Sequence, residues 1–527
     1  MQRRDFLHMA ALTSGAGAAS AAPGAVADAV AEQSVAQLQA AQHSARLTAQ
    51  GMVQAYLRRI ARIDRAGPRL HAVIELNPDA LATARALDAE RQRSGPRGPL
   101  HGIAVLLKDN IATADRMLTS AGSLALTHGP AVRDAHLVAQ LRRAGAVILG
   151  KANLSEWANI RSTRSSSGWS ARGGQTRNPY ALDRSPSGSS SGCGAAMAAS
   201  LASVAVGTET DGSITSPASV AGLVGMKPTV GWVSRAGVIP IAHSQDTAGP
   251  MTRTVADAAV LLSVLAGADP DDAATEAARG KDLDFTRHLQ RDALRGKRLG
   301  VVRSQFAAAG ERVARVVEAQ LQVLQAQGAI LIEVPEVPNT AKYAETELTV
   351  LLHELKHGLQ QYLARYAPNA PVQSLADIIA FNQREATREM PYFGQEHFEA
   401  AQATGSLDTP AYREALATNH RYARAEGIDV VLAEHRLDAL VAPTGGPAWL
   451  IDPINGDAPG ASFTSPAAVA GYPHITVPCG QVRGLPIGLS WVGTAWSDAS
   501  LLGMAYAYEQ ASLQRQPPSY APTQNPR

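Results

Sequence analysis

Lys108 occupies the position in this chain that is best suited to acid–base chemistry. The chain has seven lysines against 41 arginines, and Lys108 directly follows the apolar run 102–107. Burial can lower the pKa of a lysine until the amine is neutral and basic, whereas an arginine stays charged. Lys108 is therefore a general base, a buried lysine without function that destabilises the fold, or a residue whose long stem carries its ammonium group to the surface.

Ser190 is a candidate nucleophile of a different kind. It is the middle serine of residues 188–192, Gly-Ser-Ser-Ser-Gly, which satisfy the pattern G-x-S-x-G. In α/β-hydrolases this serine lies on a turn between a strand and a helix, and an acid and a histidine follow it in the chain. Asp452 and His474 occur in that order, but residues 178–187 lack the strand pattern that the turn requires. The pattern therefore favours this nucleophile only weakly.

A third candidate is a metal site at residues 353–357, which read His-Glu-Leu-Lys-His. On a helix, H-E-x-x-H places two imidazoles on one face, with the glutamate as the base of a zinc peptidase. No third ligand follows at a recognised spacing, and so short a match arises readily by chance in a chain with 14 histidines. The alternative is an amphipathic helix with its leucines inward and His353, Lys356 and His357 mostly solvated. We expect no metal and no cofactor.

Alternating strands and helices must position these groups. Short apolar runs predict buried strands at 102–107, 146–149, 299–302, 329–332, 440–443 and 474–478. Helical spacing of apolar residues in 134–144 and 311–327, between such runs, indicates an α/β fold whose sheet is at least partly parallel. Residues 161–194 form a polar Gly/Ser segment that precedes a buried small-residue helix, a frequent setting for a catalytic loop.

Composition and the N-terminus narrow the class of protein. Hydrophobic residues make up 45% and charged residues 18% of the chain, as in a globular protein, and a net charge of +2 without a basic run argues against a nucleic-acid partner. Cys193 and Cys479 are too few for a disulfide framework or a cysteine metal cluster.

Residues 1–27 have the layout of a twin-arginine export signal, in which Arg3 and Arg4 precede a mild apolar run too weak to span a membrane. We therefore expect a periplasmic or secreted protein.

The Gly/Ser segment is part of a much longer pattern. Residues 186–195 read Pro-Ser-Gly-Ser-Ser-Ser-Gly-Cys-Gly-Ala, and 206–214 read Val-Gly-Thr-Glu-Thr-Asp-Gly-Ser-Ile. With these runs the chain resembles the amidase signature family. Further matching segments lie at 98–102, 108–110, 145–153, 225–229, 237–240, 246–251, 470–473 and 484–489. The resemblance covers essentially all of the chain after the signal, and it implies one large α/β domain over 28–520 with a mixed central sheet surrounded by helices.

The resemblance also implies a Ser–cis-Ser–Lys triad that hydrolyses amides through an acyl-enzyme. The matching positions are Ser213 as the nucleophile, Ser189 as the bridging serine with a cis peptide bond before it, and Lys108 as the base. Neutral Lys108 would accept the proton of Ser213 through the Ser189 hydroxyl, and the reverse transfer would protonate the leaving amine. Ser190, the second serine of the loop, would support it by hydrogen bonds.

The end of the second run would supply the oxyanion hole through backbone N–H groups. The residues concerned are Thr210, Asp211, Gly212 and Ser213. Asp211 stands where many members of the family have glycine, and its carboxylate would either tune Lys108 or bind substrate. This form of the run resembles the branch that contains bacterial peptide amidases, which remove C-terminal amides from peptides.

The sequence therefore predicts an exported amidase that converts a carboxamide to an acid and ammonia or an amine. Peptide C-terminal amides are the expected substrates, and aryl acylamides or other small amides are the alternative. We expect a monomer or homodimer, with a helical cap or insertion at 341–433 and a flexible tail at 521–527. An alternative of another class is a non-catalytic binding protein that kept the fold, which the intact triad positions disfavour.

Overall fold

The computed structural model describes residues 29–524. The predicted export signal at 1–27 lies outside the described residues, and so do the last residues of the predicted tail, 525–527. Within 29–524, none of the helices combines the length and the apolar character that crossing a membrane requires.

In the described part of the chain, eleven strands form one central sheet and two more form a small hairpin. The strands are β1 (Val73–Leu76), β2 (Ala104–Lys108), β3 (Val147–Ala152), β4 (Trp169–Ser170), β5 (Gly174–Gln175), β6 (Val204–Glu209), β7 (Val224–Lys227), β8 (Thr247–Thr252), β9 (Arg298–Val302), β10 (Ile330–Val334), β11 (Ala439–Pro443), β12 (His474–Val482) and β13 (Leu485–Val492). The order across the large sheet is β1-β3-β2-β6-β8-β7-β12-β13-β11-β9-β10. All six predicted strands are present.

The large sheet is mixed, as the family resemblance implied. The pairs β2–β3, β2–β6, β9–β10 and β9–β11 are parallel. The remaining neighbours, from β1–β3 at one edge to β11–β13, are antiparallel.

Helices surround this sheet. In chain order they are α1 (Val35–His43), α2 (Ala49–Arg59), α3 (Ala80–Ser94), α4 (His136–Arg143), α5 (Ser191–Ala198), α6 (Thr215–Val220), α7 (Val255–Leu265), α8 (Arg303–Ala309), α9 (Glu311–Ala326), α10 (Thr340–Tyr366), α11 (Leu375–Arg384), α12 (Ala386–Glu389), α13 (Glu396–Ala403), α14 (Pro410–His420), α15 (Asp429–Glu434), α16 (Ser465–Ala470) and α17 (Asp498–Ser512). Turns of π-helix at Ile60–Arg65 and Arg421–Ile428 extend α2 and α14. The helices predicted at 134–144 and 311–327 are α4 and α9.

The segment 341–433 is mostly helical, and it contains nearly all of α10 together with α11 to α14. At the other predicted boundary, Ala521 forms a β-bridge with Ala181, and its carbonyl accepts from the Leu182 N–H at 2.9 Å. Because this pairing anchors the backbone, Ala521 is part of the folded chain.

The sheet brings the end of β2 next to the end of β6. These neighbouring parallel strands pair Leu107 with Val206, so Lys108 is level with the residues that follow Val206. Helix α5 begins at Ser191 and packs against β2, β3 and β6. The Gly/Ser loop that precedes α5 therefore meets the carboxyl ends of the same strands, where binding sites of α/β sheets commonly lie.

Candidate active site

Lys108 ends β2 and is fully buried. Its Nζ lies 2.7 Å from Ser189 Oγ, 2.9 Å from Thr208 Oγ1 and 3.1 Å from the Thr208 carbonyl oxygen. Burial lowers the pKa of Lys108 to about 7, although acidic groups around it partly oppose the shift. A large share of Lys108 is therefore a neutral amine at neutral pH, as a general base requires. The alternative in which its stem carries the ammonium group to the surface is wrong, because protein groups enclose Nζ.

Ser189 and Ser213 continue a line of polar groups from Lys108. The two Oγ atoms are 2.9 Å apart. Ser189 is fully buried, whereas Ser213 is 8% exposed, so Ser213 is the end of the line that a substrate can reach. The peptide bond between Gly188 and Ser189 is cis, at the position that the family resemblance implied.

The turn that ends in Ser213 presents free backbone donors. The N–H groups of residues 211–213 have no hydrogen-bond acceptor within the described chain. By contrast, the N–H groups of Ile214 and Thr215 donate to the Glu209 carboxylate at 2.7 and 2.8 Å, which holds the start of α6. Gly212 gives the turn its left-handed residue, with φ of 76°. Free N–H groups beside a hydroxyl are the arrangement that an oxyanion requires.

Thr210 fixes the turn through its side chain. Its hydroxyl donates to the Asp246 carboxylate, which also accepts the N–H groups of Ile241 and Ala242 at 2.9 Å each. Burial raises the pKa of Asp246 to about 6. Thr210 therefore links the turn to the segment before β8.

Ser190 ties the Gly/Ser loop to the same turn. Its N–H donates to the Ser213 carbonyl at 3.1 Å, and its hydroxyl donates to the Thr208 carbonyl at 3.1 Å. These bonds connect the loop before α5 both to the turn and to the end of β6. They fix the positions of the two catalytic candidates, Ser189 and Ser213, relative to each other.

The α/β-hydrolase interpretation of Ser190 is wrong for this chain. His474 bonds to Ser490 Oγ through Nε2 at 2.6 Å, and Asp452 accepts backbone N–H groups within its own turn. Neither residue contacts Ser190. The three residues follow one another in the required order, but the fold places them in separate hydrogen-bond networks.

The H-E-x-x-H motif lies within α10, where its polar groups bind other protein groups. Glu354 accepts from the hydroxyls of Ser244 and Tyr412 at 2.9 and 2.7 Å, and His353 Nδ1 lies 2.8 Å from the Thr349 carbonyl oxygen. Among residues 29–524, no group of three or more histidine, cysteine, aspartate or glutamate side chains is placed to hold a metal ion. His353 is also buried rather than solvated, because its ring packs on Tyr412 at 5.6 Å.

Asp211 does not tune Lys108 in the way that its position in the sequence suggested. Its carboxylate accepts hydrogen bonds from Thr464 Oγ1 and Ser465 Oγ, each at 2.5 Å. Burial dominates the pKa of Lys108, and the groups that oppose its shift, Cys193, Asp246 and Glu209, do not include Asp211. Asp211 remains partly exposed and is available to a ligand.

A cavity of about 230 Å³ lies beside the turn. Gly188 and Gly212, which directly precede Ser189 and Ser213, form part of its lining, and the loop 444–464 forms another part. Most of the lining consists of small and uncharged polar residues. Such a lining suits a neutral group that both donates and accepts hydrogen bonds, as an amide does.

Sequence reasoning missed Thr208 and Asn110. Thr208 supplies two of the three oxygens around Lys108 Nζ, and Asn110 Nδ2 donates to Thr208 Oγ1 at 3.0 Å. Both residues stand inside segments that match the family, 108–110 and 206–214. Their residue types carry no chemical signal of their own, so only their position next to the lysine shows what they do.

Comparisons with known proteins show which family the chain resembles over most of its length. The family model for amidases matches residues 52–502. A protein of Arabidopsis thaliana described as a probable amidase is 41% identical over 499 residues, which cover 93% of this chain and 92% of that protein. The structure of native peptide amidase from Stenotrophomonas maltophilia matches with a TM-score of 0.89 at 54% identity, over 93% of this chain and 99% of that chain. A complex of peptide amidase PAM with the competitive inhibitor chymostatin matches with a TM-score of 0.90 at 55% identity, over the same shares.

These matches extend over nearly the whole described chain and include the strands, the Gly/Ser loop and the turn at Ser213. The mixed sheet surrounded by helices is also the architecture of the matched structures. The chain therefore belongs to the amidase family, and it is a hydrolase that acts on amide C–N bonds.

Proposed function

We propose that this amidase hydrolyses the C-terminal carboxamide of peptides, with Ser213 as nucleophile, Ser189 as proton bridge and Lys108 as base. The observation that carries the proposal is the unbroken line of short contacts, 2.7 Å from Lys108 Nζ to Ser189 Oγ and 2.9 Å from there to Ser213 Oγ. The line begins at an amine whose pKa burial lowers to about 7 and ends at a serine beside a cavity.

The hydrogen bonds around Lys108 suit a neutral amine. Such an amine has two N–H donors and one lone pair. Its two donors match the carbonyl and hydroxyl oxygens of Thr208, which leaves the lone pair for the Ser189 hydroxyl. Ser189 can then accept the proton of Ser213. When Lys108 is protonated, each of these donor–acceptor pairs along the line reverses.

The reaction follows from this reversal. As Ser213 Oγ attacks the amide carbon, its proton passes to Ser189 while the Ser189 proton passes to Lys108. The carbonyl oxygen becomes an oxyanion, which the free N–H groups of the turn 211–213 stabilise. The tetrahedral adduct then expels the amine, which takes a proton back along the line and leaves as ammonia. Water attacks the acyl-enzyme by the same sequence of transfers and releases the acid.

Two observations support a peptide amide as the substrate. The two solved structures that share 54% and 55% identity with this chain over 93% of its length are described as peptide amidases. The cavity beside Ser213 is lined largely by uncharged polar and small residues, which suits a peptide end with its amide groups.

Ser213→Ala tests the nucleophile. We expect the release of ammonia from a peptide amide to fall by about 10³-fold or more, because the attacking hydroxyl is removed while the binding groups remain. Ammonia release in stopped assays with matched enzyme concentrations gives kcat. Turnover that is unchanged by the substitution would contradict a mechanism in which Ser213 is the nucleophile.

Ser189→Ala and Ser190→Ala form a matched pair for the bridge. Loss of the Ser189 hydroxyl breaks the line between Lys108 and Ser213, and we expect kcat to fall by about 10²–10⁴-fold. Loss of the Ser190 hydroxyl removes the two hydrogen bonds that it makes with the Thr208 backbone, but it leaves the line from Lys108 to Ser213 intact and should cost far less activity. The opposite ranking would assign the bridge to Ser190.

A further inference from the structure

The cavity beside the nucleophile contains acidic side chains and no basic one. Asp211 and Asp457 belong to its lining, and every other lining residue is uncharged. No lysine, arginine or histidine of the described chain, 29–524, lines this cavity. Because Asp211 belongs to the turn that presents the oxyanion donors, Asp457 is the carboxylate that the proposed reaction does not use.

Neutral donors hold the Asp457 side chain in place. Its Oδ1 accepts from Trp449 Nε1 and its Oδ2 accepts from the Ser167 N–H, each at 2.9 Å. A carboxylate has about four acceptor positions, so each oxygen can accept a further hydrogen bond. Uncharged donors also leave the negative charge uncompensated. Asp457 is therefore a positioned anion that can accept hydrogen bonds from a ligand.

Trp449 adds an aromatic ring to the same part of the cavity. Its carbonyl accepts from the Ser185 N–H at 2.7 Å, and the next residue, Leu450, forms a β-bridge with Arg184. The backbone that carries the ring is therefore anchored, and the hydrogen bond from the indole joins the ring to Asp457. Aromatic faces attract cations, and a guanidinium can stack on a ring and pair with a carboxylate. An indole joined to a carboxylate suits a guanidinium group.

The arginine that binds the tip of this loop makes different contacts. Arg164 Nη2 donates to the carbonyl oxygens of Ile454 and Asn455, at 3.3 Å each. Arg164 is not part of the cavity lining. It therefore fastens the loop and leaves the cavity side of the Asp457 carboxylate to a ligand.

We propose that Asp457 and Trp449 form a subsite for a guanidinium side chain on the C-terminal residue of the substrate, as in a peptide that ends in argininamide. This inference rests on the proposed function, in which a primary amide loses only ammonia. So small a leaving group needs little space, so the cavity of about 230 Å³ holds the acyl part. The α-nitrogen of that part is acylated in a peptide, so a positive charge next to the reacting carbonyl belongs to a side chain.

The reacting carbonyl and the subsite share one space. Gly188 and Gly212, which precede the two serines, line the same cavity as Asp457 and Trp449. Arginine carries its guanidinium on a long methylene stem, which can extend along the uncharged part of the lining. Its planar group offers paired N–H donors to a carboxylate, whereas the lysine ammonium is a compact point charge. We therefore expect the order arginine, lysine and then neutral side chains.

Two amides of nearly the same shape test the subsite. N-acetyl-L-argininamide carries a guanidinium, and N-acetyl-L-citrullinamide carries a neutral urea in its place. We expect the unmodified enzyme to prefer the arginine compound in kcat/KM by about 5- to 20-fold at low ionic strength, because an exposed ion pair and a cation–π contact act together. Sodium chloride should reduce the preference, since it screens exposed charges. No preference at low ionic strength overturns the proposal.

Asp457→Asn and Trp449→Phe form a matched pair. Asp457→Asn removes the charge and keeps the shape of the side chain, so it should abolish most of the preference. Trp449→Phe removes the N–H that Asp457 accepts but keeps the charge and an aromatic ring, so most of the preference should remain. A preference that survives Asp457→Asn contradicts the subsite. Equal losses in both variants would assign the preference to the conformation of the loop and also overturn the proposal.

Asp452→Asn is the control for the general field of the loop. Asp452 lies in the same loop but lines a different cavity. Asparagine keeps the Oδ1 that accepts the N–H groups of Ile454 and Asn455, and the substitution should leave the preference unchanged. A loss equal to that in Asp457→Asn would assign the preference to the charge of the whole loop and contradict a subsite.

A binding measurement separates this inference from the proposed nucleophile. Calorimetric titration of Ser213→Ala should show tighter binding of the arginine compound than of the citrulline compound, by about 5- to 20-fold, and an added Asp457→Asn should remove that difference. Equal binding of the two amides contradicts the subsite and leaves the nucleophile untouched. Continued hydrolysis by Ser213→Ala contradicts the proposed function, while the ratio of the two amides in the unmodified enzyme still decides the subsite.

Discussion

Lys108 and Lys151 lie on neighbouring strands and are both fully buried, yet their surroundings differ in one decisive respect. Lys151 follows an apolar run, as Lys108 does, and the β2–β3 register pairs it with Leu107. Burial lowers the pKa of Lys108 to about 7 and that of Lys151 to about 8. Burial and a lowered pKa are therefore common to both lysines and do not by themselves make a base.

The difference lies in where the hydrogen bonds lead. Lys151 Nζ donates to the Ile111 carbonyl and to Thr119 Oγ1, at 2.7 and 2.8 Å, and the Thr119 hydroxyl returns to the same carbonyl. That network closes on itself. The contacts of Lys108 continue through a buried serine to Ser213, whose neighbour Gly212 lines a cavity. A base needs a path along which a proton can reach the substrate.

Lys108→Met should show the largest difference between the two lysines. Methionine fills a similar volume but cannot accept a proton, so we expect kcat to fall by about 10²–10⁴-fold. Lys151→Met should leave kcat nearly unchanged and lower the free energy of unfolding by about 1–3 kcal/mol, because a buried carbonyl and hydroxyl lose their donor. Peptide-amide hydrolysis and urea unfolding measure the two quantities. Similar losses of kcat in both variants would contradict the assignment of Lys108, and not Lys151, as the base.

The pH profile should separate the lysines next. Protonated Lys108 cannot accept a proton, so kcat/KM should rise about tenfold per pH unit on the acid side and level off above the pKa of Lys108, about 7. Lys151→Met should retain this profile. Lys108→Arg should remain inactive even at alkaline pH, since the guanidinium stays charged. A midpoint close to that of an ordinary lysine in the unmodified enzyme would mean that Lys108 is not the neutral base.

The smallest expected effect is on stability against pH. The pKa of Lys151 is about 8 in the folded chain, against 10.5 for an ordinary lysine exposed to water. Between these values the unfolded chain binds more protons, so this lysine makes stability rise with pH by up to about 1.4 kcal/mol per unit. Lys151→Met should lack that part of the slope. Urea unfolding at several pH values in this window measures it, and parallel slopes would show that Lys151 titrates normally.

Local sequence patterns predicted the strands and the loops that carry the site residues. Apolar runs predicted the strands that carry Lys108 and Lys151, because a buried strand needs little more than a short apolar segment. The long family pattern led to Ser189, Ser190 and Ser213, and the structure places all three at the carboxyl ends of β2 and β6. The same local signal could not separate Lys108 from Lys151, since both follow apolar runs.

The predictions that are wrong concern side chains whose contact partners are distant in the sequence. His353 was expected to be mostly solvated, but it packs on Tyr412. Of the two roles that the sequence allows Asp211, tuning Lys108 is wrong, because its carboxylate accepts from Thr464 in the loop before α16 and from Ser465, the first residue of α16. No local periodicity encodes such contacts, because they depend on how helices dock on the sheet.

The sequence by itself determined the family, the strands and the residue types available for acid–base chemistry, because these depend on local patterns. The tertiary structure alone decided which buried lysine faces a serine and that Thr208 and Asn110 complete its surroundings. Each of these contacts joins segments that are distant in the chain. Strand register and helix packing bring them within hydrogen-bond distance, and the low polarity of the interior then lowers the pKa of the lysine.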